Sequence, residues 1–238
     1  MSNPVFLADD VSGDRVVLTG PEGRHAATVR RLRTGEPVDV VDGRGTRLSC
    51  VVTGVEQDVV RLDVVHRTVE SAPSPRLVLV QALAKGDRGE LAVELATEVG
   101  IDEVLPWTAA RCVQQWHGAR GEKSLQRWRS TAREAAKQSR RAWWPVVSEP
   151  VRLAGVVARE GTILVLHEAA EVALTSVALP PDGDVLLVVG PEGGLTDEEV
   201  DALRAAGGHV VRLGRSVLRT STAGAAAAAV VSARTGRW

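Results

Sequence analysis

Leu186-Leu187-Val188-Val189-Gly190-Pro191-Glu192-Gly193-Gly194 is the stretch whose reading decides the fold. A short apolar run, of the kind that fills a strand buried on both faces, passes directly into a glycine-rich turn. The same pattern occurs on either side of it. Upstream, Ile163-Leu164-Val165-Leu166 ends at His167-Glu168. Downstream, Val210-Val211-Arg212-Leu213-Gly214 runs into Arg215-Ser216-Val217-Leu218-Arg219-Thr220-Ser221-Thr222-Ala223. In an open α/β sheet, ligands bind outside the carboxyl ends of the strands. These turns are therefore where a site, and a small cofactor, is expected.

Working outward, strands alternate with helices from Pro73 onward. Leu77 to Leu83 is an apolar run. Asp87 to Val99 carries Leu91, Leu95 and Val99 at helical spacing before Gly100, Val104 to Trp107 reads as a short strand, and Gly121 to Arg141 reads as a long helix. Thr196 with Glu199 forms a capping box for the helix after the glycine turn. The last helix spans roughly Thr220 to Thr235. Such alternation means an α/β fold with a mostly parallel sheet. Before the proline-rich break Ser71-Ala72-Pro73-Ser74-Pro75 the rhythm differs. Short strands at 15–19, 37–41, 47–52 and 59–65, with the turn pair Asp42-Gly43, suggest a small β-barrel. The expected domains are 1–72 and 73–238.

Composition narrows the function classes. Among 238 residues, 44% are hydrophobic and 25% charged, as in globular domains, and the formal net charge is −1. Any nucleic-acid role must therefore come from local patches. Cys50 and Cys112 are the only cysteines and neither has a partner at zinc-ligand spacing, so no metal is expected. Met1 to Asp14 lacks a signal-peptide pattern and the Ala-rich run 223–231 is too short to span a bilayer, so a cytoplasmic, non-membrane protein is expected.

The motifs differ in what they demand. Gly190 to Gly194 lets a ligand approach the backbone ahead of a capped helix. It matches neither a dinucleotide fingerprint nor a P-loop. Gly20-Pro21-Glu22-Gly23-Arg24 nearly repeats it but precedes a basic segment in the β-rich region and is read as a turn. Arg219 stands at the start of the last helix, where the dipole disfavours a cation, which points to an anionic or enolate-like partner. Arg129, Arg133, Lys137, Arg140 and Arg141 form a basic row along one helix face, opposite Leu125, Trp128, Ala132 and Ala135, with Trp143 and Trp144 beside it. Arg24, His25, Arg30, Arg31 and Arg33 form a second basic cluster. Two such surfaces suit a long polyanion held by phosphate contacts and base stacking.

Together, the glycine turn and Leu213-Gly214…Val217-Leu218-Arg219-Thr220…Thr222-Ala223 resemble the knotted SPOUT methyltransferases. More narrowly they resemble the RsmE family, the 16S ribosomal RNA uridine N3-methyltransferases. His25…Val29-Arg30-Arg31-Leu32-Arg33…Gly35, Lys85-Gly86-Asp87-Arg88…Glu94-Leu95-Ala96-Thr97-Glu98-Val99-Gly100, Arg111-Cys112 and Trp128…Glu134 to Arg141 extend the resemblance over most of the chain. It implies an N-terminal PUA-like β-barrel that helps bind RNA, a SPOUT domain with a deep trefoil knot, S-adenosylmethionine as methyl donor, and a homodimer acting on 16S rRNA of the small ribosomal subunit. The implied cofactor loops are Leu166-His167-Glu168, Gly190 to Leu195 (Gly190, Pro191, Glu192, Gly193, Gly194, Leu195), and Leu213 to Ala223 (Leu213, Gly214, Val217, Leu218, Arg219, Thr220, Ser221, Thr222, Ala223). Lys85 joins the two basic clusters as an RNA contact. Many members carry Glu where this chain has Ser221, so a carboxylate there is not essential to the chemistry here.

Uracil N3 must lose a proton before it accepts a methyl group. Arg219 or helix-terminal amides would stabilise the resulting anion, and Glu192, Glu168 or His167 would accept the proton. Residues alone do not choose among them. The competing readings are a SPOUT enzyme acting on another RNA or at a ribose 2′-oxygen, and a non-catalytic RNA-binding assembly factor. A nucleotide-binding oxidoreductase lacks its fingerprint.

Overall fold

The structure is a computed structural model that describes residues 3–238, so Met1 and Ser2 of the expected first domain lie outside the described residues. The chain divides into two compact units, residues 1–72 with 137–144, and residues 73–136 with 145–238.

The first unit contains β1 (Val5–Leu7), β2 (Arg15–Leu18), α1 (Gly20–Arg24), β3 (Pro37–Val41), β4 (Thr46–Glu56) and β5 (Val59–Val69). They form one sheet in the order β1-β3-β4-β5-β2, with β1 parallel to β3 and the other pairs antiparallel. Alternation at period two puts Leu48, Cys50 and Val52 of β4 and Val60 and Leu62 of β5 into one core with Phe6, Val38 and Val40. Gly20 to Arg24, expected as a turn, is instead a short helix that continues into a π-turn at His25–Val29. Pro21 is compatible with a first helical turn. Gly23 admits the close packing, since a Cβ there would lie 2.0 Å from the Asp58 carbonyl oxygen.

Residues 137–144, expected in the second domain, pack with the first unit. Lys137 Nζ lies 2.8 Å from Glu22 Oε1, and the two side chains are only 10% and 20% exposed. Glu22 also accepts the Leu7 N–H. Trp143 donates its indole N–H to the Glu70 carbonyl and lies over Gly45, where a Cβ would meet the ring at 2.7 Å. Trp144 N–H bonds the Gly43 carbonyl. These side chains were expected on an RNA-binding face. The indoles and the ammonium are instead used to seat this segment.

The second unit contains β6 (Arg76–Ala82), α2 (Arg88–Glu98), β7 (Glu103–Trp107), α3 (Gly118–Gln138), β8 (Val146–Val147), α4 (Leu153–Val157), β9 (Thr162–Leu166), β10 (Asp184–Val189), α5 (Asp197–Ala205), β11 (His209–Val211) and α6 (Thr220–Thr235); the end of α3 counts with the first unit. The sheet is parallel throughout, in the order β11-β9-β10-β6-β7-β8. Its central strands are buried along their length, as the apolar runs required. The last helix packs Gly224, Ala227, Ala228 and Val231 inward. It meets α2 through small residues: α2 buries Ala92, Val93 and Ala96, whereas Leu91, expected on the inner stripe, is exposed.

At the amino ends of the strands, Glu103 is 4% exposed and accepts from Arg76 at 2.6 Å, Arg159 at 2.8 Å and Ser148 at 2.7 Å. Burial pushes its pKa up, but the Ser148 hydroxyl and the Arg159 and Arg76 guanidinium groups outweigh that and hold it below the usual glutamate value. A depressed folded pKa contributes stability above the unfolded value, near 4.3, and that stability is lost as pH falls through the folded value. Glu103→Gln is expected to melt below the parent at pH 7, with the gap narrowing in thermal melts as pH falls through the lowered folded value and Glu103 becomes protonated. In the first unit, Lys137→Met strands a mostly buried carboxylate and is expected to lower urea-unfolding stability by about 2 kcal/mol, with Glu22→Gln restoring most of it in the double variant.

Candidate active site

Hydrogen-bond register fixes the floor of the site. Val211 pairs with Leu166, Val189 with Gln81 and Gln81 with Pro106, so these residues form a row across the sheet at its carboxyl edge. Beyond that row the chain leaves β9, β10 and β11 into loops. Those loops enclose a cavity of about 310 Å³. Leu166, His167 and Glu168 enter from β9; Val189 to Glu192, with Gly194 and Leu195, from β10; and Val217 to Thr220, with Ala223, from the segment that begins α6. An adjoining hollow of about 70 Å³ adds Leu213, Gly214 and Ser216 and shares Leu166, His167 and Glu168.

Polar groups brace the glycine turn, from the fully buried Trp107 to the exposed Arg111. Trp107, fully buried, donates its indole N–H to the Val189 carbonyl at 3.1 Å. Arg111 Nη1 donates to the carbonyls of Gly193 and Leu195 at 3.0 and 3.1 Å. Glu199 completes the capping box with Thr196 and, through Oε1, accepts the Ala110 N–H at 2.7 Å. Glu192 Oε1 accepts the Lys85 N–H at 3.0 Å and lies 3.9 Å from Arg88. The Thr220 hydroxyl donates to the Gly190 carbonyl at 2.8 Å and accepts from Gln81 Nε2 at 3.0 Å. Thus the first residue of α6 is bonded to the end of β10 through a side chain rather than acting as a simple cap.

Of the expected cofactor residues, all but Gly193, Ser221 and Thr222 line the cavity or the adjoining hollow. Gly193 faces Arg111, Ser221 is buried in α6, and Thr222 turns its hydroxyl to the Arg219 carbonyl. Arg88 lines the cavity although it entered the sequence reading only as part of the family resemblance and not as a site residue; its place in the first turn after β6 was the available signal. The bracing roles of Arg111, quoted only for the family resemblance, and of Trp107 and Gln81 were also missed, because they depend on strand register that residue type does not carry.

The titratable groups are differentiated by their bonds. His167 Nδ1 accepts the Ala169 N–H, which leaves the ring proton on Nε2, so the ring is a donor toward its surroundings. Glu192 is held by a backbone N–H and a guanidinium. Glu168 has no hydrogen-bond partner among the described residues and faces the cavity. Burial pushes the Cys112 thiol up, which leaves it protonated and unreactive. Glu198 is held below its usual value by its own backbone N–H at the start of α5 and by the Thr196 hydroxyl.

The expected RNA contacts fall into two groups. Arg30, Arg31, Arg33, Lys85 and Arg133 are exposed. Arg24 pairs with Asp58, His25 packs edge-on to Phe6, Arg129 bonds Glu149 and the Val147 carbonyl, and the Arg140 carbonyl accepts from Arg47. Lys137 is committed to Glu22, and Arg141 is half-buried. The row on α3 is therefore partly internal wiring. Among the described residues no helix is long and apolar enough to cross a membrane and no acidic, His or Cys group is arranged to hold a metal ion.

Comparison with known proteins places this geometry. Residues 71–232 match the family model described as an RNA methyltransferase domain, and residues 18–62 match an RNA methyltransferase PUA domain. The ribosomal RNA small subunit methyltransferase E of Mycobacterium bovis is 47% identical, covering 98% of this chain and 93% of that protein. The protein of the same name from Bacillus subtilis is 31% identical over 92% of this chain and 90% of its own length. The crystal structure of ribosomal RNA small subunit methyltransferase E from Neisseria gonorrhoeae, bound to S-adenosyl methionine, is similar with a TM-score of 0.89 at 27% identity, covering 98% of each chain.

Proposed function

Because the chain belongs to the ribosomal RNA small subunit methyltransferase E family, we propose that it transfers a methyl group from S-adenosylmethionine to N3 of a uridine in 16S rRNA of the small ribosomal subunit. The observation that carries this reading is the convergence of three strand-end loops on one cavity of about 310 Å³, a volume in the range of cofactor pockets. Its chemistry fits the cofactor. Leu166, Val189, Leu195 and Leu218 offer apolar surface to an adenosine, and Glu168 and Glu192 offer negative charge to a cationic sulfonium and ammonium.

When bound, S-adenosylmethionine supplies an already activated methyl group, so alignment and exclusion of water carry much of the rate. Glu168 is the carboxylate with an unengaged acceptor, and it takes the N3 proton directly or through a water. Glu192, tied to Lys85 and Arg88, holds the turn in place. Arg219, exposed at the cavity edge with no side-chain partner among the described residues, stabilises the negative charge that spreads onto the uracil carbonyl oxygens. Phosphates of the RNA substrate are neutralised in the first unit by Arg30, Arg31 and Arg33, and in the second by Lys85 and Arg133.

The finer fold features belong to the same reading. A PUA-like barrel is supported by the long strands β4 and β5, whose register shifts at Ser49/Cys50 and Val52/Gly54 bend the sheet. A SPOUT knot is supported by the path from edge strand β11 back to the sheet centre, where α6 packs on β10, β6 and α2. A homodimer is supported by the exposed apolar side chains Val113, Val217 and Leu218 near the cavity end of the sheet. The cytoplasm is the compartment that holds the substrate.

Incubation with labelled donor and unmodified small subunits is expected to yield 3-methyluridine; labelled ribose or no label would overturn the assignment. Arg219→Ala is expected to lower turnover by about 10²-fold. Arg33→Ala and Arg133→Ala are each expected to reduce the salt dependence of RNA binding by about one counterion while leaving donor affinity unchanged, as filter binding against salt and calorimetry would report.

A further inference from the structure

Gln81 is fully buried at the carboxyl end of a central strand of the parallel sheet, on a strand otherwise dominated by Leu, Val and Ala. A buried amide among aliphatic side chains is unfavourable unless its polar atoms are bonded. Its Nε2 donates to the Ala82 carbonyl at 3.2 Å and to the Thr220 hydroxyl oxygen at 3.0 Å, while Oε1 is buried with no partner. An aliphatic residue of the same length would avoid that penalty, so packing alone does not account for the amide.

The direction of the hydrogen bonds does. Thr220 has one hydroxyl proton and directs it to the Gly190 carbonyl at 2.8 Å. Its oxygen is therefore an acceptor toward Gln81, and only a donor at that position is compatible with this order. The relay runs from Gln81 to Thr220 to Gly190. Thr220 and Gly190 both line the cavity; Gln81 does not. We infer that Gln81 is a positioning residue for S-adenosylmethionine: by donating to Thr220 it fixes the direction of the hydroxyl proton and holds the start of α6 against the turn after β10. The inference rests on the cofactor assignment above.

Calorimetric titration of S-adenosylmethionine, with turnover on small subunits, tests it. Gln81→Met is expected to raise Kd and KM for the donor about tenfold with kcat changed less than twofold, and to leave the melting temperature near the parent's because the unpaired oxygen is removed with the lost bonds. Gln81→Glu places an acceptor where a donor is needed. Its affinity is expected to be weaker than Gln81→Met at pH 8 and to recover toward the parent's, compared at each pH, as the introduced carboxyl protonates and becomes a donor. Thr220→Ser is expected to bind within twofold of the parent, whereas Thr220→Val weakens binding about tenfold and Gln81→Met adds little to it. Parent-like affinity in Gln81→Met, a Gln81→Glu deficit that is the same at every pH, or a Thr220→Ser as weak as Thr220→Val would overturn the inference. If Gln81→Met fails to fold, the Thr220 pair decides. A parent protein that binds no donor would remove the cofactor assignment itself, an outcome distinct from these.

Discussion

One row of paired residues across the parallel sheet governs the site. Val211, Leu166, Val189, Gln81 and Pro106 lie at one level because the ladder hydrogen bonds of β11, β9, β10, β6 and β7 leave no other register. A slip of one residue would turn each strand's side chains to the opposite face. The loops begin just above that row, so their approach to one another follows from the ladder rather than from attraction between the loops. Trp107 reinforces the same level, since its indole reaches across β6 to the last carbonyl of β10.

The architecture was legible where burial dominates. Apolar runs bounded by glycine gave the central strands to within a residue or two, and Thr196 with Glu199 marked the start of α5 because a capping box is a local device. Local devices do not report on partners distant in sequence. The stripe Leu91, Leu95, Val99 had the right period, yet α2 turns its smaller face inward, because α6 approaches closely and only Ala92, Val93 and Ala96 leave room. The two-residue β8 and the short α4 carry too little pattern to register at all. At the site, the glycine turn and the segment from Leu213 to Ala223 were readable because their composition is unusual. The braces behind them, Arg111 and Gln81, were not, since an arginine after a strand and a glutamine within one have many ordinary uses.

Charge was the least transparent signal. A row of cations on a helix looks the same in sequence whether it faces solvent, substrate or another part of the protein. Here Arg129 is bonded to Val147 and Glu149 and Lys137 to Glu22, while Arg133 between them is exposed. The near-repeat Gly20 to Arg24 follows the same lesson. Its composition imitates the glycine turn, but its Glu22 serves as the buried anion for Lys137 and its Gly23 makes room for two backbone carbonyls.

Residues 137–144 belong with 1–72, yet they are flanked on both sides by segments of the other unit. The polypeptide thus passes from one unit to the other three times, near 72, 136 and 144. A single crossover in the gene near residue 72 would deliver a first module missing the strip that carries Trp143 and Trp144, or a second module bearing an orphaned strip. Exchange of either half at one junction is therefore obstructed, because it would separate residues 137–144 from the sheet they pack with.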